Sequence, residues 1–278
     1  MKDDGHPRRT MPPERTVMVD GEILTVDETL TDVQRRQLAE NGHRLCLLYA
    51  TNAPSRAPTG SNWEIFSLAL LARVDYTLRR MLREPTETID GAGLARAIYE
   101  HVVAFAWIMI DPAEHYRRVQ RWEYEERIKM QKDLAKFAHF APNPNFIRRS
   151  LVDMAHESAP DTADRALQAQ NHWSRSGLKW PFAFRRSYAN LFRPYSAYVH
   201  PTVMAMDHFI SRDPLGPVVG APRPFDDGRM LAAATSSFAD ALVIASDRLG
   251  WPKMHDVAAA MTFGIRWETD SPDEDAGG

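Results

Sequence analysis

The sequence contains a single cysteine, Cys46, in 278 residues. One thiol excludes an intramolecular disulfide framework, a zinc site of several thiolates and a CxxC redox pair. Cys46 lies in RLCLLYA on an apolar helix face with no activating histidine placed nearby, so a small buried core residue is expected there. Long apolar runs are missing as well. The longest is VVAFAWIMI, Val102 to Ile110, at nine residues, against the roughly 20 needed to cross a bilayer, and no membrane span is expected. The first residues, MKDDGHPRRTMPPERT, carry acids and no apolar stretch, unlike a secretory signal, which makes the cytoplasm the expected compartment. Glycine-rich phosphate loops, GxGxxG and a GxSxG following a strand are all absent, and no internal repeat is present.

A surplus of positive charge is also lacking, since the net charge is −3. That balance argues against a dedicated DNA packer or a polybasic membrane binder. The average conceals an asymmetry, because His115 to His200 holds fifteen Lys or Arg against eight Asp or Glu. This middle segment is therefore at +7 and the remainder at −10.

What is present is the composition of a globular protein, 44% hydrophobic and 26% charged, with enough chain for a sizeable core. Residues 1–15 are expected to be disordered, 16–267 to form a helical domain, and the acidic 268–278 to be a disordered tail. Asp20-Gly21 between two β-branched runs predicts a hairpin over 16–26, because Asp-Gly suits a type I′ turn. From Thr31 the period is helical. One helix runs from a Thr31 or Asp32 cap towards Tyr49, and a second from Asn62 to a stop at Pro85, with the stripe Phe66, Leu70, Val74, Leu78 and Met81. A third, near 93–110, is apolar nearly all round and so central. Asp111-Pro112 ends it and starts a charged fourth helix with a thin stripe at Tyr116, Val119, Trp122 or Tyr124, and Met130. Weaker helices are expected over 146–156, 162–171 and 187–200, a Pro-rich connector over 213–224, and a last strong helix closed by Gly250. The fold class expected is mainly α, one bundle of about six to eight helices with the short N-terminal hairpin.

Several charged residues interrupt stripes that should be buried. Arg96 and Glu100 continue the row of Val103, Trp107 and Ile110 on the third helix, and Arg73 falls in the row Phe66, Leu70, Thr77, Met81 on the second. An unpaired buried charge costs several kcal/mol, so pairing is expected, with Arg73 the leading partner for Glu100 across helices. Such a cluster either fixes helix register or forms the polar centre of a cleft.

The segment RPYSAYVHP holds Arg193 and His200 seven residues apart, about two helical turns, with Tyr195 and Ser196 between. Imidazole titrates near neutrality and guanidinium stabilises a phosphorane-like charge without a metal, so this pair suits phosphodiester cleavage. Further back, NHWSRSGLKWPFAFRR interleaves aromatics with Arg175, Lys179, Arg185 and Arg186 and has no acid. Two readings stand: stacked bases with held phosphates, as in single-stranded nucleic-acid sites, or a plug at the end of the bundle with the bases as its wet rim. Glu40 and His43 have ExxH spacing, but no second copy accompanies them, so neither a metal nor a cofactor is expected. Asp111 with His115, and Asp153 with His156, read as helix-spaced surface pairs.

The stretch GLARAIYEHVVAFAWIMIDPAEHYRRVQRWEYEERIK resembles a bacterial family catalogued as a domain of unknown function. Its pattern is an Arg, a Glu four residues on, an apolar aromatic helix, Asp-Pro and a charged helix. YSAYVHP, Tyr195 to Pro201, resembles the family's Tyr-x-x-x-x-His segment, and together the likeness spans about half the chain, from near 62 to 205. It implies an all-helical bundle, and more distantly the HEPN superfamily of helical nucleases and defence proteins. Members of that superfamily with an Arg, four to six intervening residues and a His cleave RNA without metal, usually as dimers. Arg193 and His200 match at six intervening residues, with Pro194 where active members usually have a polar residue. The function expected is a metal-independent ribonuclease of a defence or toxin kind, with RNA and a second copy as partners. The alternative is a non-catalytic helical binding or regulatory module in which Arg73, Arg96, Glu100 and His200 only organise the core.

Overall fold

A computed structural model describes residues 31–55, 57–83, 89–136, 155–193, 196 and 228–261, together with the backbone of a few short extended segments. The described residues are mainly helical. Eight α-helices lie among them: α1 Asp32–Asn52, α2 Asn62–Arg83, α3 Ile89–Ile108, α4 Pro112–Leu134, α5 Thr162–Trp173, α6 Phe184–Ser187, α7 Arg229–Leu249 and α8 Met254–Ala260. A π-helical turn, Tyr188–Phe192, continues α6.

Local chemistry sets the helix ends. Thr31 Oγ1 accepts the Gln34 N–H at 3.2 Å while Gln34 Oε1 accepts the Thr31 N–H at 2.8 Å, a reciprocal cap at the start of α1. Asp111 caps α4, and Pro112 occupies its first turn. Gly250 closes α7 at φ +75°, a left-handed conformation that a side chain would strain. Asp161 caps α5 by accepting the Asp164 N–H at 2.9 Å.

Helix α3 is the centre of the molecule, as its all-round apolar sequence implies. Ile98, Val102, Val103, Phe105, Ala106, Trp107 and Ile108 are fully buried, and α2, α5 and α7 pack around them. Helix α7 is the second buried rod, in contact with α1, α2, α3 and α8. It is long and apolar enough to cross a membrane by length and composition, yet 72% of its apolar window is buried within the protein. Cys46 sits in this core at 1% exposure, and burial pushes its thiol up to about 12, so it is an inert core residue.

Two stripes differ from the expected ones. On α2 the buried residues are Glu64, Ser67, Leu71, Val74, Thr77, Leu78 and Met81, so the second half keeps the expected stripe while in the first half Glu64, Ser67 and Leu71 take the core side and Phe66 and Leu70 are only half-buried. Small Ser67 enters the core because its hydroxyl bonds back to the Trp63 carbonyl at 2.8 Å, and Glu64 enters because Thr59 donates to it from N and Oγ1 at 2.8 and 2.7 Å. On α4 only Val119 is buried, while Trp122 and Met130 remain 44% and 43% exposed. Its solvent side carries ion pairs within the helix, Arg121 with Glu125, Arg127 with Glu123 and Lys129 with Glu126, while Tyr116 packs on Phe66 of α2.

Of the hairpin expected over 16–26, only part is described. Its turn, Asp20-Gly21, lies outside the described residues, and only the backbone of Thr16–Val19 and Glu22–Thr25 is placed, as antiparallel extended segments. Ile210–Asp213 and Gly216–Val219 pair in the same way. The expected termini 1–15 and 268–278, most of the helix expected over 146–156, and the Pro201 segment lie outside the described residues.

Candidate functional site

Helix α3 carries polar groups at both ends of one face. At its N-terminal end Arg96 donates to Glu100 Oε1 at 3.3 Å, with side-chain exposures of 23% and 38%. The pair is therefore half-wet. Arg96 also lies over the Phe192 ring, 4.9 Å from its centroid, and the neighbouring Tyr99 packs on Phe192 at 5.6 Å while donating its hydroxyl to the Phe184 carbonyl at 2.6 Å. These contacts dock the α6 and π-turn segment, whose last carbonyls lead into Arg193, against α3. One nitrogen, Arg96 Nε, is buried without a hydrogen-bond partner.

Arg193 follows directly. Its backbone N–H donates to the Tyr188 carbonyl, and its side chain is exposed with no partner among the described residues. Ser196 is half-buried and donates its hydroxyl to the Phe192 carbonyl at 2.7 Å, so it is engaged in helix back-bonding. Tyr195 and His200 lie outside the described residues. Arg73 does not join this cluster. It is exposed on α2 and forms no ion pair with Glu100 among the described residues, lying beside a buried face that runs through Val74, Thr77 and Leu78.

The loop after α5 divides by residue type. Trp173, Phe182 and Phe184 are buried, Trp173 Nε1 donating to the Ala106 carbonyl at 3.0 Å and Phe182 lying nearly parallel to Phe184 at 5.6 Å. Trp180 is half-buried and donates to Asp240 Oδ1 at 2.7 Å. Burial pushes the Asp240 carboxyl up to about 7, partly opposed by that hydrogen bond. The aromatics thus plug the bundle, while Arg175, Lys179 and Arg185 are exposed around it and Arg186 is half-buried.

At the C-terminal end of the α3 face lies a groove of about 510 Å³, lined by Ile110, His115, Gln168, Asn171, His172, Arg175 and Ser176. His115, in the first turn of α4, lies flat on Trp107, with ring centroids 3.9 Å apart and planes 4° apart, and its Nδ1 is 2.6 Å from the Trp107 carbonyl oxygen. Trp107 in turn donates Nε1 to Gln168 Oε1 at 2.7 Å. Two guanidiniums also lie over the same indole, Arg118 and Arg165, each 5.5 Å from its ring centroid. Arg165 is further held by the Pro160 carbonyl at 2.7 Å, and Arg118 by Ser158 and Glu157.

On the far side of the groove Arg248 Nη2 lies 3.1 Å from His172 Nε2. Burial first, then Arg248, holds the His172 imidazole below its ordinary value, and burial does the same to His115 against the opposing Trp107 carbonyl and Asp111. Both rings are therefore neutral at pH 7. Arg175 alone among these residues was singled out by sequence. His115 is not the surface partner of Asp111 that the helix spacing suggests; the tight Asp111-Pro112 turn folds the start of α4 back onto the end of α3 and half-buries the ring against Trp107. A histidine one turn after an Asp-Pro break and eight residues after a tryptophan was the only signal available.

Glu40 and His43 are both exposed, and no group of three or more metal-ligating side chains occurs among the described residues.

Fold and site together describe a helical bundle whose central helix presents a carboxylate–guanidinium pair at one end and an imidazole groove at the other. Residues 87–216 match the model of a family of unknown function (DUF5677), which takes in the Arg96 and Glu100 helix, the Asp111-Pro112 break, α4, α5 and Arg193. No curated protein and no solved structure matches the chain.

Proposed function

We propose that this protein is an RNA-cleaving enzyme of the metal-independent, HEPN-like kind, acting in defence or as a toxin, with His200 as general acid or base and Arg193 as the group that stabilises charge on the phosphorus. The observation that supports this reading most is the placement of Arg193. It is an exposed guanidinium, without a partner among the described residues, on a segment anchored to α3 through Phe192, Arg96 and Tyr99. An anchored cation with no partner among the described residues suits in-line phosphoryl displacement, since the developing equatorial charge must be met by a preorganised donor. Arg96 and Glu100 support the mount and do not touch substrate. A second copy of the chain, bringing a second Arg193 and His200, belongs to this proposal.

The test is incubation of the purified protein with mixed RNA in EDTA, beside Arg193→Ala and His200→Ala. Cleavage by the parent that falls at least a hundredfold in either variant is expected. No cleavage, or cleavage unchanged in both variants, overturns the reading. The burial of Trp173, Phe182 and Phe184 favours the other candidate, a non-catalytic binding module, because it removes those rings as a base-stacking platform. That candidate requires His200→Ala to lower thermal stability while leaving partner binding intact.

A further inference from the structure

The imidazole groove has no part in that chemistry, and its hydrogen-bonding state is decided by its neighbours. A carbonyl oxygen only accepts, so the 2.6 Å contact with Trp107 puts the proton of His115 on Nδ1 and leaves Nε2 as a bare lone pair. A guanidinium only donates, so the 3.1 Å contact from Arg248 makes His172 Nε2 the acceptor and puts the proton on Nδ1. The two rings thus offer opposite functions, one an acceptor and the other an N–H donor.

Charge in the groove is one-sided. Arg175 is exposed with no carboxylate partner among the described residues, and Asp and Glu are missing from the lining. Acids do stand nearby, but each answers to another group. Asp247 lies 3.4 Å from Arg248, Glu114 pairs with Arg117, Glu157 pairs with Arg118, and Asp111 caps α4. A metal ion does not suit this arrangement, because the His172 Nε2 lone pair is already taken by a cation and no carboxylate lines the groove. An anion that also carries a hydroxyl does suit it. A volume of about 510 Å³ falls in the range of small-molecule sites, roughly 300 to 1,000 Å³.

We propose that this groove binds the phosphate ester of a ribonucleotide, its phosphate held by Arg175 and the His172 N–H, and a ribose hydroxyl donating to His115 Nε2. Asn171 and Gln168 supply further amide donors and acceptors at its wall. The ribonucleotide comes either as a free mononucleotide or as one unit of an RNA strand. The site is independent of the cleavage proposed at Arg193 and His200.

The experiment follows the ring signals of His115 and His172 by nuclear magnetic resonance as UMP, dUMP, inorganic phosphate or a short oligouridylate is added to the full chain. UMP is expected to move both sets of signals, dUMP to bind at least fivefold more weakly, and Arg175→Ala to weaken UMP at least tenfold. Arg175 is exposed and unpaired among the described residues, so an unchanged melting temperature confirms that this variant is folded. An oligouridylate that binds tenfold tighter than UMP assigns the site to an RNA strand, and equal affinity assigns it to free nucleotide. Signals that stay still with every ligand overturn the proposal, as does inorganic phosphate binding as well as UMP, or UMP binding unaffected by Arg175→Ala. Ribonucleotide binding that persists in a protein unable to cleave RNA removes only the ribonuclease reading.

Discussion

Trp180 donates its indole N–H to Asp240 Oδ1 at 2.7 Å, joining the loop after α5 to the buried helix α7. That bond reaches a carboxyl group on the part-buried side of α7, flanked by the fully buried Ala239 and Ala241. It sets the first expectation.

Burial raises the Asp240 carboxyl from its ordinary value to about 7. A folded-state acid of raised pKa holds its proton where the unfolded chain has lost it, so stability falls as pH rises from about 4 to about 7. Asp240→Asn removes the titration and keeps an acceptor for Trp180. Its melting temperature is expected to exceed that of the parent near pH 8, with a flatter slope through the weakly acidic range. A parent and variant with parallel pH profiles would refute this.

His115 has the opposite sign. Its folded pKa is depressed, chiefly by burial against Trp107, so the unfolded chain takes up a proton that the native ring refuses. Stability is therefore full above about 6.5 and declines as pH falls below it. His172, lowered by burial and Arg248, adds to the same decline. Denaturant melts between about pH 7.5 and pH 5.5 are expected to show a loss that shrinks in His115→Gln.

Trp173 is fully buried and satisfies the Ala106 carbonyl. Trp173→Phe keeps much of the packing and removes the donor, which is expected to cost about 1–3 kcal/mol in urea unfolding. A change below about 0.5 kcal/mol would mean that the indole N–H is not what ties α5 to α3.

Arg73 and Arg96 separate two ideas that the sequence placed together. Arg73→Ala removes an exposed side chain and should stay within about 0.5 kcal/mol of the parent. Arg96→Ala strips Glu100 of its partner and Phe192 of its cation, and should cost about 1–2 kcal/mol. Equal effects would restore Arg73 to the cluster.

The contrast between these arginines shows where sequence reasoning succeeds. Helix ends were legible because they are local: Thr31, Asp111-Pro112 and Gly250 each act on the turn they occupy. The central position of α3 was legible because its second half, Val102 to Ile108, is apolar all round. Facing was not, because α2 buries Glu64 and Ser67 through bonds to Thr59 and Trp63, and no hydropathy pattern anticipates that two polar residues will be satisfied. Arg73 lies just off the buried face, beside Val74. Arg96 and Glu100 meet one turn apart on α3, whereas the groove escaped notice because its walls come from the turn after α3, from α4, and from α5 with its following loop, which meet only in the folded chain.

The burial of α7 has a consequence for how the chain is made. The segment matching the family model stops at residue 216, while α7 begins at Arg229 and covers the apolar face of α3. A ribosome that has released only the first 216 residues has exposed α3 without the rod that shields it. The matched segment is therefore not a self-sufficient unit of folding, and a truncation at its boundary should aggregate where the intact chain does not.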